Sequence, residues 1–247
     1  MRRRFFVDQV RNGHAEINGD DARHLTRVLR VEAGQRYEIS DNHSVYLAEI
    51  ETSRKEHVVF RTLEKLPAQR PAPSLILCAA LIKFDHFEWM IEKATELGVA
   101  KIVPVEAARS EHGLERAARK RIDRWRRIAL EASQQSRRAF LPEVDEPVEF
   151  AEVLSLTAAH RFVLDEKPET APLDRAIPTA RDASDTVALL VGPEGGWTDP
   201  ERDAFVSASW TPVSLGPLVL RAETAAIAAL AIVGAAWSVR PENSPIA

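Results

Sequence analysis

The sequence predicts an α/β protein: a mostly parallel sheet covered by helices, preceded by a small β-barrel carrying one helix. Three observations support this. PAQRPAPS (67–74) places three prolines in eight residues, so the chain there is extended and a domain boundary falls near residue 72. Short runs with strand-like alternation dominate before it. Strands alternate with helices after it, the signature of a parallel sheet with both faces covered.

In residues 1–72 the strand candidates are RRFFVD, HAEIN, RYEIS, SVYLAEIE and HVVFRTLEKL. One helix interrupts them. Asp20 or Asp21 is its expected cap, and Leu25, Val28 and Leu29 make an apolar stripe at i, i+3, i+4. In residues 73–247, SLILCAAL is a buried strand. A helix over 85–97 follows, with Asp85 as cap, Phe87, Met90, Ile91, Ala94 and Leu97 inward, and Gly98 past its end. KIVPV is the next strand, and a long basic helix is expected over about 115–137 with Ile122, Trp125, Ala129 and Ala132 inward. FAEVLSL (helix), RFVLDE and TVALLVG (strands), a helix from Thr198, TPVSL (strand) and a last helix over about 223–238 complete the order.

Composition narrows the function classes. With 45% hydrophobic and 28% charged residues the chain is globular rather than disordered. A single cysteine, Cys78, excludes a disulfide framework and a multi-cysteine zinc site, and points to a reducing, cytoplasmic setting. Its place in an apolar strand predicts an inert buried thiol. The longest apolar run, Thr224–Trp237, falls short of the roughly 18–20 residues a bilayer demands, so no membrane partner is expected. MRRRFFVDQV has no apolar stretch behind its basic cluster, so it is not expected to be a secretory signal. The seven histidines show no HxxxH or HxxEH spacing and there is no GxSxG, so neither a metal site nor serine-nucleophile chemistry is expected.

Net charge is −4, yet ten Arg or Lys stand against four acids from Arg109 to Arg138. With Arg2, Arg3, Arg4 and HLTRVLR (24–30), this cationic stretch predicts a track for a phosphate backbone. Glycine is concentrated elsewhere: four of ten (Gly192, Gly195, Gly196, Gly216) fall between 192 and 216, after two predicted strands. Parallel sheets bind ligands beyond the carboxyl ends of their strands, and glycine lets backbone approach a ligand closely. GPEGGW (192–197) and LGPLVLRAET (215–224) are therefore the site candidates. Neither matches a Walker A loop or GxGxxG, so phosphate binding is not indicated. Thr198 with Glu201 predicts a capping box, with Pro200 in the first turn. Arg221 and Glu223 open a last helix, AAIAALAIVGAAW, that is apolar nearly all round. Such a helix must be buried on more than one side, and a second subunit would cover the remaining side.

These residues carry a family resemblance. VGPEGGW (191–197) and SLGPLVLRAETAAIAAL (214–230) resemble the knotted SPOUT-class methyltransferases, and most closely the RsmE family, which methylates N3 of a uridine in 16S ribosomal RNA. HLTRVLRVEAGQ (24–35), KFDHFEWMIEKATELGVAKIVPV (83–105) and EASQQSRRAFLPEV (131–144) resemble further blocks of that family in the same order, while AARSEHG (107–113) departs from its usual run. The resemblance implies a PUA-like RNA-binding domain over 1–72, a SPOUT domain with a trefoil knot over 73–247, a homodimer, and S-adenosylmethionine as cofactor. The motif match implies a cofactor pocket using Leu164, Leu190, Gly192, Pro193, Glu194, Gly195, Gly196, Leu215, Gly216, Leu218, Leu220 and Arg221.

For N3 methylation, Arg221 is the candidate to stabilise charge on the uracil oxygens. Glu223 or Glu194 would accept the proton or orient the base. The candidate contacts to 16S ribosomal RNA or the small subunit are Arg3, Arg4, His24, Arg27, Arg30, Lys83, Arg109, Arg124, Arg127, Arg137 and Arg138. Two other readings are a SPOUT ribose 2′-O-methyltransferase and a non-catalytic RNA-binding protein of ribosome assembly.

Overall fold

The computed structural model describes residues 3–111, 113–167 and 169–238, so Arg2 and His112 lie outside the described residues. The chain divides into two compact units, Met1–Arg70 with Leu130–Leu141, and Pro71–Ala129 with Pro142–Ala247.

The first unit runs β1 (Arg4–Phe6), β2 (His14–Asn18), α1 (Gly19–Arg27), β3 (Arg36–Ser40), β4 (Val45–Arg54) and β5 (His57–Leu66). The five strands pair in the order β1-β3-β4-β5-β2. β1 and β3 are parallel and the rest antiparallel. β1 and β2 stand at opposite ends of this ladder, so the expected small β-barrel takes the form of an open half-barrel. Alternation drives it: in β2, Ala15 and Ile17 point inward while His14, Glu16 and Asn18 stay exposed. They join Phe5, Ile39, Ile50, Val58 and Phe60 in one core, which Ala22 and Leu25 of α1 close. Register shifts between β4 and β5 at Leu47/Ala48 and Ile50/Thr52 bend the long hairpin, as bulges do.

Two local expectations for α1 need correction. Its cap position is Asn18, which makes no side-chain bond, and Asp20 and Asp21 sit in the first turn, where carboxylates favour the positive helix end. Val28 follows the helix and is 64% exposed, so Leu25 and Leu29 alone continue the inward stripe. The inserted segment 130–141 is tied in by polar contacts. Arg4 Nη1 donates to Arg137 O at 2.7 Å, Ser40 Oγ to Ala139 O at 2.6 Å, and Leu141 N to Asn42 Oδ1 at 2.7 Å.

The second unit runs β6 (Ser74–Ala80), α2 (Phe84–Glu96), β7 (Lys101–Glu106), α3 (Leu114–Arg119), α4 (Ile122–Ser136, which from Leu130 on belongs to the first unit), β8 (Glu143–Val144), β9 (Val148–Glu149), α5 (Phe150–Leu154), β10 (His160–Leu164), α6 (Leu173–Ala176), β11 (Thr186–Val191), α7 (Asp199–Ser207), β12 (Thr211–Val213) and α8 (Ala222–Ser238). Every strand pairing is parallel, in the order β12-β10-β11-β6-β7-β8 with β9 also on β7. The central strands are buried on both faces. Leu75, Leu77, Val187 and Leu189 pack with α2 and α8, while Cys78, Ala188 and Leu190 pack with Val153 of α5, Phe205 of α7 and Trp197.

The expected single basic helix is two, α3 and α4, parted by a turn at Lys120–Arg121. Apolar spacing carries straight through this turn, so periodicity could not reveal it. Arg121 is held there by Glu88 at 2.9 Å and stacks 4.5 Å over Phe84. Ile122, Trp125, Ala129 and Ala132 are buried as the stripe predicts. Lys83, not Asp85, occupies the cap position of α2.

Candidate active site

β10, β11 and β12 lie side by side and end on one edge of the sheet, where the chain leaves them as Leu164–Glu166, Val191–Trp197 and Val213–Arg221. These three segments, with Lys83 and His86 at the start of α2, line a cleft of about 610 Å³.

The glycine loop is held from below. Trp197 is fully buried and its Nε1 donates to Leu164 O at 2.9 Å, joining the β11 loop to the end of β10. The predicted capping box forms: Glu201 Oε2 accepts from Thr198 N at 2.8 Å, and its other oxygen accepts from Ala108 N at 2.9 Å. Arg202 binds Asp165 at 3.0 Å, Glu166 at 2.9 Å and Trp197 O at 2.6 Å. These carboxylates hold its guanidinium above the ordinary arginine pKa, Asp165 by hydrogen bonding most of all. Two glycines are required by this packing. A Cβ on Gly192 would lie 2.9 Å from the Trp197 ring, and one on Gly196 would lie 2.6 Å from Glu166 Oε1, at a φ of +66°.

Leu164, Gly192, Pro193, Glu194, Gly195, Gly196, Leu215, Gly216, Leu218, Leu220 and Arg221 all line the cleft. Leu190 does not: it is fully buried inside β11, facing the Trp197 core, because it lies one residue short of the strand end. The Arg221 guanidinium has no hydrogen-bond or ion-pair partner among the described residues. Leu218 and Val219 beside it are 77% and 82% exposed, an uncovered apolar wall. Glu194 is exposed on the loop. Glu223 is 6% exposed and is absent from the cleft wall; its Oε1 lies 2.8 Å from His86 Nδ1, and its Oε2 is buried without a hydrogen-bond partner among the described residues.

Several expected RNA contacts are committed elsewhere. Arg109 donates to Gly195 O at 2.8 Å and so buttresses the glycine loop. Arg124 binds both oxygens of Glu88 at 2.7 Å, and Arg4 binds Glu38 at 2.6 Å. Arg138 donates to Phe140 O at 3.0 Å; burial, with Arg70 nearby, pushes its pKa down to about 10, which leaves it charged at neutral pH. Lys83 lies on the cleft wall. Arg3, His24, Arg27, Arg30 and Arg127 are exposed, while Arg137 is partly buried at a φ of +58°.

Sequence reasoning missed His86, Asp165 and Glu166. Asp165 and Glu166 directly follow the expected Leu164, so adjacency could have found them. His86 meets its partner across 137 residues of chain, a distance no spacing rule covers. Among the described residues no group of three or more His, Cys, Asp or Glu could hold a metal ion, and no helix is long and apolar enough to cross a membrane.

The family model for an RNA methyltransferase domain matches residues 69–234, and that for an RNA methyltransferase PUA domain matches 17–63. A ribosomal RNA small subunit methyltransferase E from Mycobacterium bovis is 32% identical over 238 residues, covering 93% of this chain and 90% of that protein. The crystal structure of such an enzyme from Neisseria gonorrhoeae, bound to S-adenosyl methionine, superposes with a TM-score of 0.85 at 26% identity, covering 96% of this chain and 98% of that one. A Legionella pneumophila methyltransferase solved with bound SAM gives 0.86 at 29% identity, with 96% and 98% covered.

Proposed function

The chain belongs to the ribosomal RNA small subunit methyltransferase E family, and on that premise we propose that it transfers a methyl group from S-adenosylmethionine to N3 of a uridine in 16S ribosomal RNA. The observation that carries this reading is the glycine-walled cleft beyond three adjacent parallel strands, with the unpaired Arg221 on its wall.

The cleft suits the donor. Its volume falls in the range of roughly 300–1,000 Å³ usual for small-molecule sites. Gly192–Gly196 and Leu215–Leu220 would hold the adenosine by backbone groups and apolar contact, since adenine presents both polar edges and flat apolar faces. When bound, S-adenosylmethionine supplies a methyl group on a positively charged sulfur. The rest falls to the protein. N3 of uracil sits on its pairing edge, so the target base enters unpaired or flipped out. As its proton leaves, negative charge spreads to O2 and O4, and Arg221, which has no ion-pair partner among the described residues, stabilises that charge. Arg3, Arg27, Arg30 and Arg127 supply exposed cationic contacts for the phosphate backbone, and His24 an exposed ring.

A homodimer completes the proposal, because α8 still exposes Ala231, Ile232 and Ala235 on an otherwise apolar helix. A ribosomal RNA substrate and the single buried thiol accord with a cytoplasmic setting. The test uses small subunits from cells lacking the modification, incubated with protein and labelled donor, then digested to nucleosides. N3-methyluridine by mass spectrometry, with a primer-extension stop at that site, is the expected result. A ribose-methylated nucleoside that leaves the pairing edge readable would move the acceptor to the 2′-hydroxyl, and RNA binding without transfer would leave a non-catalytic binder.

A further inference from the structure

Removing the N3 proton requires an acceptor held in place at the cleft. Glu194 is exposed and makes no side-chain hydrogen bond among the described residues. Glu223 is buried, lies off the cleft wall and bonds His86. His86, by contrast, lines the cleft, and its ring is oriented by a bond to a different helix: Nδ1 on α2 lies 2.8 Å from Glu223 Oε1 on α8. An ionised carboxylate only accepts hydrogen bonds, so the neutral ring must carry its proton on Nδ1 and present a lone pair on Nε2. That nitrogen makes no hydrogen bond among the described residues; Asp85 Oδ2, at 3.8 Å, is beyond reach.

We propose that His86 is the general base of the methyl transfer, taking the N3 proton on Nε2 while Glu223 fixes the ring through Nδ1. This rests on the uridine-N3 reading above. In the step, the N3–H bond breaks and its proton goes to His86. The N3–carbon bond forms as the methyl–sulfur bond breaks, and the electron pair of that bond stays on sulfur. Sulfur loses its positive charge and His86 gains one, beside Glu223. The buried carboxylate, whose second oxygen has no hydrogen-bond partner among the described residues, stabilises the imidazolium so formed. The other charged groups of the cleft are Lys83, Asp165, Glu166, Glu194 and Arg221, with Asp85 on the ring's own helix.

Two measurements test this. The first needs no turnover: nitrogen NMR of histidine-labelled protein without donor should show His86 protonated on Nδ1 and bare on Nε2 at pH 8. A proton on Nε2 would overturn the assignment. The second follows turnover on small subunits. Wild-type kcat should rise with pH through an acid limb and then level off. His86→Gln should lower kcat about 100-fold or more and lose that limb, with donor affinity by calorimetry unchanged, and free imidazole should restore part of the rate to His86→Ala. An unchanged kcat, an equal loss at every pH, or absence of rescue would reduce His86 to a tie between helices. If the variants do not fold, the wild-type profile decides: a rate still climbing without a plateau would mean that solvent removes the proton. Wild-type protein that makes no N3-methyluridine sinks the parent reading instead, whatever the tautomer.

Discussion

Arg221 and Gly196 show how much single positions carry. Arg221→Ala should lower kcat by about 100-fold or more, the scale of a lost oxyanion-stabilising donor, while calorimetric affinity for the methyl donor changes little. An unaltered rate would remove Arg221 from the chemistry. Gly196→Ala adds a Cβ at a φ of +66° and 2.6 Å from Glu166 Oε1. It should destabilise the fold by about 1 kcal/mol or more and weaken donor binding, seen as a lower Tm and a raised Kd. Glycine clustering, the Arg221 motif and the capping box were all visible in the sequence, because each is a local pattern. Leu190 was misplaced for a local reason too: a motif does not say where its strand ends and its loop begins.

At the scale of elements, pairing between helices decides what composition cannot. The α4 arginines suggest a phosphate track, yet Arg124 of α4 and Arg121 of the turn before it converge on Glu88 of α2. Hydrogen bonding to Arg124 above all holds the Glu88 carboxyl below the usual carboxylate range. A depressed carboxylate stabilises the fold above its unfolded pKa, near 4.5, and that contribution disappears as pH falls through the native value. Wild type should therefore melt above Glu88→Gln at pH 6, with the gap closing as pH falls below about 4.5; a constant gap would contradict the linkage. The partner lies 36 residues away, so the sequence shows the charges without showing their mates. The α3–α4 break escaped for a similar reason, since neither glycine nor proline marks it. Conversely, the parallel α/β pattern was legible because β6 and β11 are apolar on both faces.

For the whole molecule, α8 sets the expected assembly. The protein should sediment at twice 27.5 kDa, and Ile232→Arg, on the exposed side of that helix, should shift it to the monomer. A wild-type monomer at micromolar concentration would refute the dimer. The strand-rich and helix-rich parts could be told apart in the sequence by their hydrophobic periods, and the prolines near residue 72 suggested a single boundary between them. What no period discloses is that Leu130–Leu141 returns to the first unit. A gene truncated at the proline segment would consequently yield no self-sufficient fragment on either side. The shorter piece would lack the carbonyls that Arg4 and Ser40 donate to, as well as the amide that Asn42 accepts from. The longer piece would carry a dozen residues stripped of their own scaffold. Dissection of this protein therefore has to follow the interleaved path of its chain rather than its most obvious joint.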